Sequence, residues 1–66
     1  MAGKLKAIVD YVQKNSTFGG LAVAKMTMML KEDVSKVTDA TPDDAAKIQK
    51  FREVAKEILK VDSIPV

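Results

Sequence analysis

The stretch Phe18–Leu30, FGGLAVAKMTMML, decides the fold because it places a nearly uninterrupted apolar run in the middle of a short chain. Leucine, alanine, methionine and lysine are good helix formers, and no proline interrupts them. The run is shorter than the roughly 20 apolar residues that a membrane-spanning helix needs. We therefore predict that it forms part of a helix of a folded protein, over about residues 20–37.

Helical spacing recurs on both sides of this stretch. Apolar residues at intervals of three and four predict a first helix over about residues 4–14. A third helix, over about 42–61, is predicted from Thr41-Pro42-Asp43-Asp44, which offers a capping hydroxyl, a proline for the first helical position and acids for the first turn. The expected inner faces are Leu5, Ile8, Val9 and Val12; Val23, Met26, Leu30, Val34 and Val37; and Ile48, Phe51, Ala55, Ile58 and Leu59, with Val54 beside them.

The predicted fold class is all-α, with one helical domain over residues 1–66. Short links between helices favour antiparallel neighbours. We therefore expect an up-down-up three-helix bundle, or a helical hairpin completed by oligomerisation. The chain has 66 residues and contains neither cysteine nor histidine, so disulfides and thiolate or imidazole metal sites cannot stabilise so small a core. Good helix packing and self-association are the remaining means of stabilisation.

The second predicted helix is apolar nearly all round in its N-terminal half. A helix of this kind is buried on all sides, and two companion helices can hardly surround it. We therefore predict a protein-binding surface, to which methionine is suited because its unbranched thioether adapts to different shapes. Two other interpretations stay open: Tyr11 or the tail at residues 64–66 covers the surface within the monomer, or lipid does. The predicted binding residues are Phe18, Leu21, Ala22, Met28 and Met29.

Catalytic chemistry has little support in this sequence. Without histidine or cysteine, neither the usual general base nor a thiolate nucleophile is available. Asp39, Asp43 and Asp44 lie close together but lack the glycine and the terminal glutamate of a calcium loop. Helix capping accounts for Asp43 and Asp44. We predict no enzyme, no metal site and no cofactor.

The favoured function is a small, non-enzymatic, regulatory protein-interaction module in the cytoplasm, which binds itself or another protein through the Met-rich helix face; a homo-oligomer is the expected form. The first alternative is a helix-turn-helix-like DNA-binding regulator whose third helix reads DNA, although the net charge is only +2. A membrane-active peptide comes third, because the acidic residues weaken attraction to anionic lipid. A cytoplasmic location is expected since Asp10 interrupts the first apolar stretch and no signal cleavage site follows. The predicted nucleic-acid contacts are Lys47, Gln49, Lys50 and Arg52.

Overall fold

The computed structural model describes residues 3–66 and shows a small three-helix bundle. Each helix packs against the other two, so of the two predicted architectures the protein adopts the bundle. The described part measures 29 × 23 × 19 Å along its principal axes. Its elements are α1 (Lys4–Asn15), α2 (Gly19–Leu30), a short 3₁₀ helix (Val34–Lys36) and α3 (Ala45–Leu59).

The helices run up, down and up, as the short links predict. Gly19, at the start of α2, lies against the last turn of α1, where a Cβ atom on it would come within 2.7 Å of the Gln13 carbonyl oxygen. The start of α1 is joined to the segment before α3, because the backbone N–H of Lys4 donates a hydrogen bond to Asp43 Oδ1 at 3.2 Å. Since α1 and α3 begin at the same end of the bundle, α2 is the antiparallel member.

The core confirms the predicted inner faces of α1 and α3. Leu5, Ile8, Val9 and Val12 are all buried, so α1 gives its whole apolar stripe to the interior. In α3 the fully buried positions are Phe51 and Ala55, with the other apolar residues of the stripe packed around them. From α2, Ala22 and Met26 are buried while Val23 and Leu30 are partly covered.

The predicted extent of the second helix is wrong, because α2 ends at Leu30 rather than at Val37. Lys31 adopts a left-handed conformation with φ 54°, and its N–H caps the Thr27 carbonyl. The Thr27 hydroxyl then accepts a hydrogen bond from the backbone N–H of Val34 at 3.3 Å. This turn redirects the chain, and Val34 and Val37 reach the core from the 3₁₀ segment instead of from a continuous helix.

The predicted start of the third helix also needs correction, because α3 begins at Ala45 and not near Pro42. The capping residue is Asp44, whose side chain accepts hydrogen bonds from the N–H groups of Ala46 and Lys47. An aspartate in this position satisfies donors that the first helical turn leaves free. The Thr41 hydroxyl, expected to cap α3, instead accepts a hydrogen bond from Thr38 N–H at 2.9 Å.

The tail after α3 packs on the side of the bundle formed by α1 and α3. Ile64 is buried, and Val66 lines a surface cavity together with Ile8 of α1 and Ile48 of α3. Among residues 3–66, no helix combines the length and the apolar character needed to cross a bilayer.

Candidate protein-binding surface

The outward side of α2 carries a group of exposed apolar residues that we call the α2 outer face: Phe18, Leu21, Met28 and Met29. The exposed fractions are 69% for Phe18, 70% for Leu21, 77% for Met28 and 39% for Met29. Leu21, Lys25 and Met28 are separated by four and three residues, so their side chains follow one another along the same side of α2, and Phe18 immediately precedes the first residue of the helix. Lys25 stands within this row and is the one charged residue of α2.

One predicted member of the surface is placed elsewhere. Ala22 is only 7% exposed and belongs to the core, so its prediction as a binding residue is wrong. It lies four residues before Met26, which is fully buried, and residues with that spacing share a helix face. A small side chain at this position lets α2 approach its neighbours closely.

Neither Tyr11 nor the tail at residues 64–66, which were the two candidates for covering this surface within the monomer, lies over the α2 outer face. Tyr11 is partly buried and packs against the core. Pro65 and Val66 lie against α1 and α3 on another side of the bundle. Phe18, just before α2, and Leu21 and Met28 of α2 therefore face solvent in the single chain, and Met29 does so in part.

A groove between α2 and α3 borders the α2 outer face at its C-terminal end. Met29 belongs to both the face and the groove, and its partners in the walls are Leu30, Ala46 and Val54. The rim is polar and is formed by three residues of α3, Gln49, Lys50 and Glu53. Sequence reasoning missed this groove. Its signal is the spacing of Ala46 and Val54, which stand eight residues apart on one flank of α3.

The predicted nucleic-acid residues are exposed but do not form one cationic surface. Lys47 points towards the α2 side, where its ammonium group donates a hydrogen bond to Glu32 Oε1 at 2.9 Å. Arg52 lines the cavity beside α1, on the opposite flank of α3. Gln49 and Lys50 lie between them, next to the acidic Glu53. The link between α2 and α3, residues 31–44, is also longer than the 3–4-residue turn of a helix-turn-helix.

The ion pair at Lys47 has a clear electrostatic consequence. The hydrogen bond that Lys47 donates to Glu32, and then the negative charge of Glu32, raise the pKa of Lys47 above its usual value. This lysine therefore stays charged but is engaged with a carboxylate of its own chain. A phosphate group would have to compete with Glu32 for it.

The aspartates near the start of α3 have structural roles. Asp44 caps α3 and Asp43 accepts the Lys4 N–H, so Asp43 serves the start of α1 instead of the first turn of α3, where it was predicted. Within residues 3–66, no group of three or more aspartate or glutamate side chains is arranged to hold a metal ion.

Comparison of the chain with models of known protein families, with curated proteins and with solved structures found no match.

Proposed function

We propose that this protein is a non-enzymatic helical interaction module that binds a second copy of itself through the α2 outer face. The observation that carries the proposal is the exposure, each about 70% or more, of Leu21 and Met28 along one side of α2 and of Phe18 at its N-terminal end. Isolated exposed apolar residues are ordinary, but a contiguous group of large ones typically marks a binding site.

The size of the face is consistent with a small dimer interface. Taking roughly 170–200 Å² for a full side chain of this size, the four residues expose on the order of 450 Å² per copy. Two such faces amount to about 900 Å², which is below the roughly 1,200 Å² at which stable interfaces begin and within the range of weak, transient ones. The whole described chain exposes 4553 Å², so the face is about a tenth of it. We expect a dimer of modest affinity.

The charge pattern favours a protein over lipid or nucleic acid as the partner. Lys25 is the single charged residue of α2, and interfacial membrane helices typically carry several lysines or arginines on the polar face. Acidic groups are distributed through the rest of the chain, which has 9 aspartates and glutamates against 11 lysines and arginines. Such a surface gives little attraction to phosphate.

Molar mass in solution tests this proposal directly. Light scattering across a concentration series should show mass rising from that of the 7.2 kDa monomer towards twice that value. The double variant Leu21→Lys, Met28→Lys should dissociate at least tenfold more readily, because charged groups replace the apolar centre of the contact. Both positions are largely exposed, so circular dichroism should show an unchanged fold.

The matched control is Val66→Lys, which also replaces an apolar side chain by lysine. Val66 is 39% exposed but lies on the side formed by α1 and α3, so this variant should associate as the unmodified protein does. A monomer at every concentration would overturn the proposal, as would equal weakening by Val66→Lys. Added anionic vesicles that bind the protein and leave its mass monomeric would point to a membrane partner instead.

A further inference from the structure

The tail after α3 closes one side of a cavity of about 430 Å³ whose other sides are formed by α1 and α3. Its apolar lining comes from all three segments: Ala7 and Ile8 of α1, Ile48 of α3, and Pro65 and Val66 of the tail. Ile8 is almost completely buried, so it lies at the bottom of the cavity. Small-molecule sites in proteins are concave, mostly apolar and about 300–1,000 Å³ in volume. This cavity has that size and that lining.

The tail wall of the cavity is held in place by the core. Ile64 is buried and belongs to the core cluster. Pro65 and Val66 follow it directly, and the ring of a proline fixes its backbone angle φ. The wall is therefore part of the folded chain, and a ligand would enter a preformed cavity at a low cost in ordering the protein.

The charged residues of the lining have one sign. They are Lys4 of α1 and Arg52 of α3, and among residues 3–66 no aspartate or glutamate lines this cavity. The groove between α2 and α3 differs, because its rim places Glu53 beside Lys50. Two further cavities along α3 also include Glu53. Apolar walls with two cations complement a molecule that has an apolar body and an anionic group.

Lys4 and Arg52 stand outside the ion pairs found among residues 3–66. Those three pairs engage other lysines. Asp43 comes close to the start of α1, where its Oδ1 accepts the backbone N–H of Lys4, but it does not line the cavity. Both Lys4 and Arg52 are exposed, so a ligand in the cavity can reach their charged groups.

We infer that the cavity between α1, α3 and the tail binds a single medium-chain alkyl carboxylate, with its chain against Ile8 and Ile48 and its anionic group held by Arg52 and Lys4. The planar guanidinium of arginine matches a carboxylate with two parallel hydrogen bonds, and the lysine adds a second positive charge. A recess bounded on three sides suits a dissolved molecule better than a flat bilayer surface. The site is separate from the proposed self-association, because no residue of α2 lines it.

Titration of the unmodified protein with octanoate, followed by NMR, tests this site. Binding should saturate, with the largest shifts on methyl groups of Ile8, Ile48 and Val66 and not on Leu21 or Met28. Two matched molecules separate the parts of the ligand. 1-Octanol keeps the chain without the charge and should bind at least fivefold more weakly, because it loses the attraction of two cations. Acetate keeps the charge without the chain and should bind at least a hundredfold more weakly, since each buried methylene contributes about fourfold.

Substitution of the two cations tests their role. Arg52→Gln and Lys4→Gln should each raise the Kd of octanoate about threefold to fivefold and leave that of 1-octanol unchanged. Both side chains are exposed, so the NMR spectra of these variants should keep the pattern of the folded protein. Lys14→Gln is the matched control: it removes the same charge from the last turn of α1, away from the cavity, and should leave the Kd of octanoate unchanged.

Several results would overturn the inference: no saturable binding of octanoate, equal affinity for octanoate and 1-octanol, equal weakening by Lys14→Gln, or shifts centred on Leu21 and Met28. The comparison of the two ligands uses the unmodified protein, so it decides the role of charge even where a substitution disturbs the fold. Molar mass is measured separately. A protein that stays monomeric and binds octanoate as expected would refute self-association and support this site.

Discussion

Replacing Gly19 by alanine should destabilise the bundle, whereas the same change at Gly20 should leave it unchanged or stabilise it. Both glycines begin α2, and neither has a positive φ, so the difference lies in the surrounding space. A Cβ at Gly19 would stand 2.7 Å from the Gln13 carbonyl oxygen and 2.9 Å from Gln13 Cγ, while at Gly20 nothing lies within 4 Å.

The sizes of the two effects follow from this geometry. The Gln13 side chain can rotate away, but its carbonyl oxygen belongs to the backbone of α1, so α1 and α2 must separate by about 0.7 Å to reach an ordinary contact. Overpacking of this kind costs about 1–3 kcal/mol. Alanine is favoured over glycine in a helix by up to about 1 kcal/mol. The expected net changes are therefore a loss of about 1–2 kcal/mol for Gly19→Ala and a gain of up to about 1 kcal/mol for Gly20→Ala.

Thermal and urea unfolding, followed by circular dichroism, can measure this difference. For a domain of this length 1 kcal/mol corresponds to about 4–8 °C in Tm. The two variants should therefore differ by roughly 10 °C and lie on opposite sides of, or at, the parent value. All samples must have the same concentration, because self-association raises apparent stability. Equal shifts in the same direction would refute the close approach of α1 and α2 at Gly19.

Three further predictions concern other parts of the fold. Lys31→Gly should raise the free energy of unfolding by up to about 1 kcal/mol, because glycine adopts the left-handed conformation of residue 31 without strain. Lys25→Gly, within α2, should lower it by about 1 kcal/mol. Changes of the same sign in both variants would contradict the end of α2 at Leu30. Met26→Ala should cost about 2–5 kcal/mol in urea unfolding, because the side chain is fully buried, and a loss below about 1 kcal/mol would argue against that burial. Hydrogen bonds from the Ser35 hydroxyl and then from the Ser35 backbone N–H hold the pKa of Asp33 below its usual value. The stabilisation of the fold by these bonds is therefore present above the ordinary aspartate pKa near 3.9 and is lost as pH falls through the lower folded value. Ser35→Ala should raise the pKa of Asp33 in an NMR titration, and an unchanged pKa would exclude the hydroxyl as the main cause.

The sequence predicts α1 and the inner face of α3 well because each is a regular amphipathic helix whose stripe is buried in full or in large part. It does not predict the end of α2. Val34 and Val37 continue the helical spacing, yet they reach the same core from a 3₁₀ turn. Hydrophobic periodicity cannot distinguish a continuing helix from a turn that returns to the same interior. The hydrogen bond from Val34 N–H to the Thr27 hydroxyl decides between them.

The start of α3 and the membership of the binding surface depend on contacts between distant residues. Asp43 is close enough to Lys4 to accept its N–H, a contact 39 positions apart in sequence that no local rule reveals. The exposure of Phe18, Leu21 and Met28 follows from the excess of apolar residues around α2, and their role in binding stays a prediction. The groove depends on the relative placement of α2 and α3, which the spacing of Ala46 and Val54 along α3 does not determine by itself.

The uneven contribution of the helices to the interior has a consequence for local opening. Four side chains of α1 are buried, whereas α2 supplies only Ala22 and Met26 at that level. Segments with few buried apolar side chains unfold locally at a lower free energy than the rest of a protein. Amide protons of α2 should therefore exchange with solvent sooner than those in the middle of α1. Occupation of the α2 outer face would slow that exchange selectively, because binding would stabilise the folded form of the helix that carries the face.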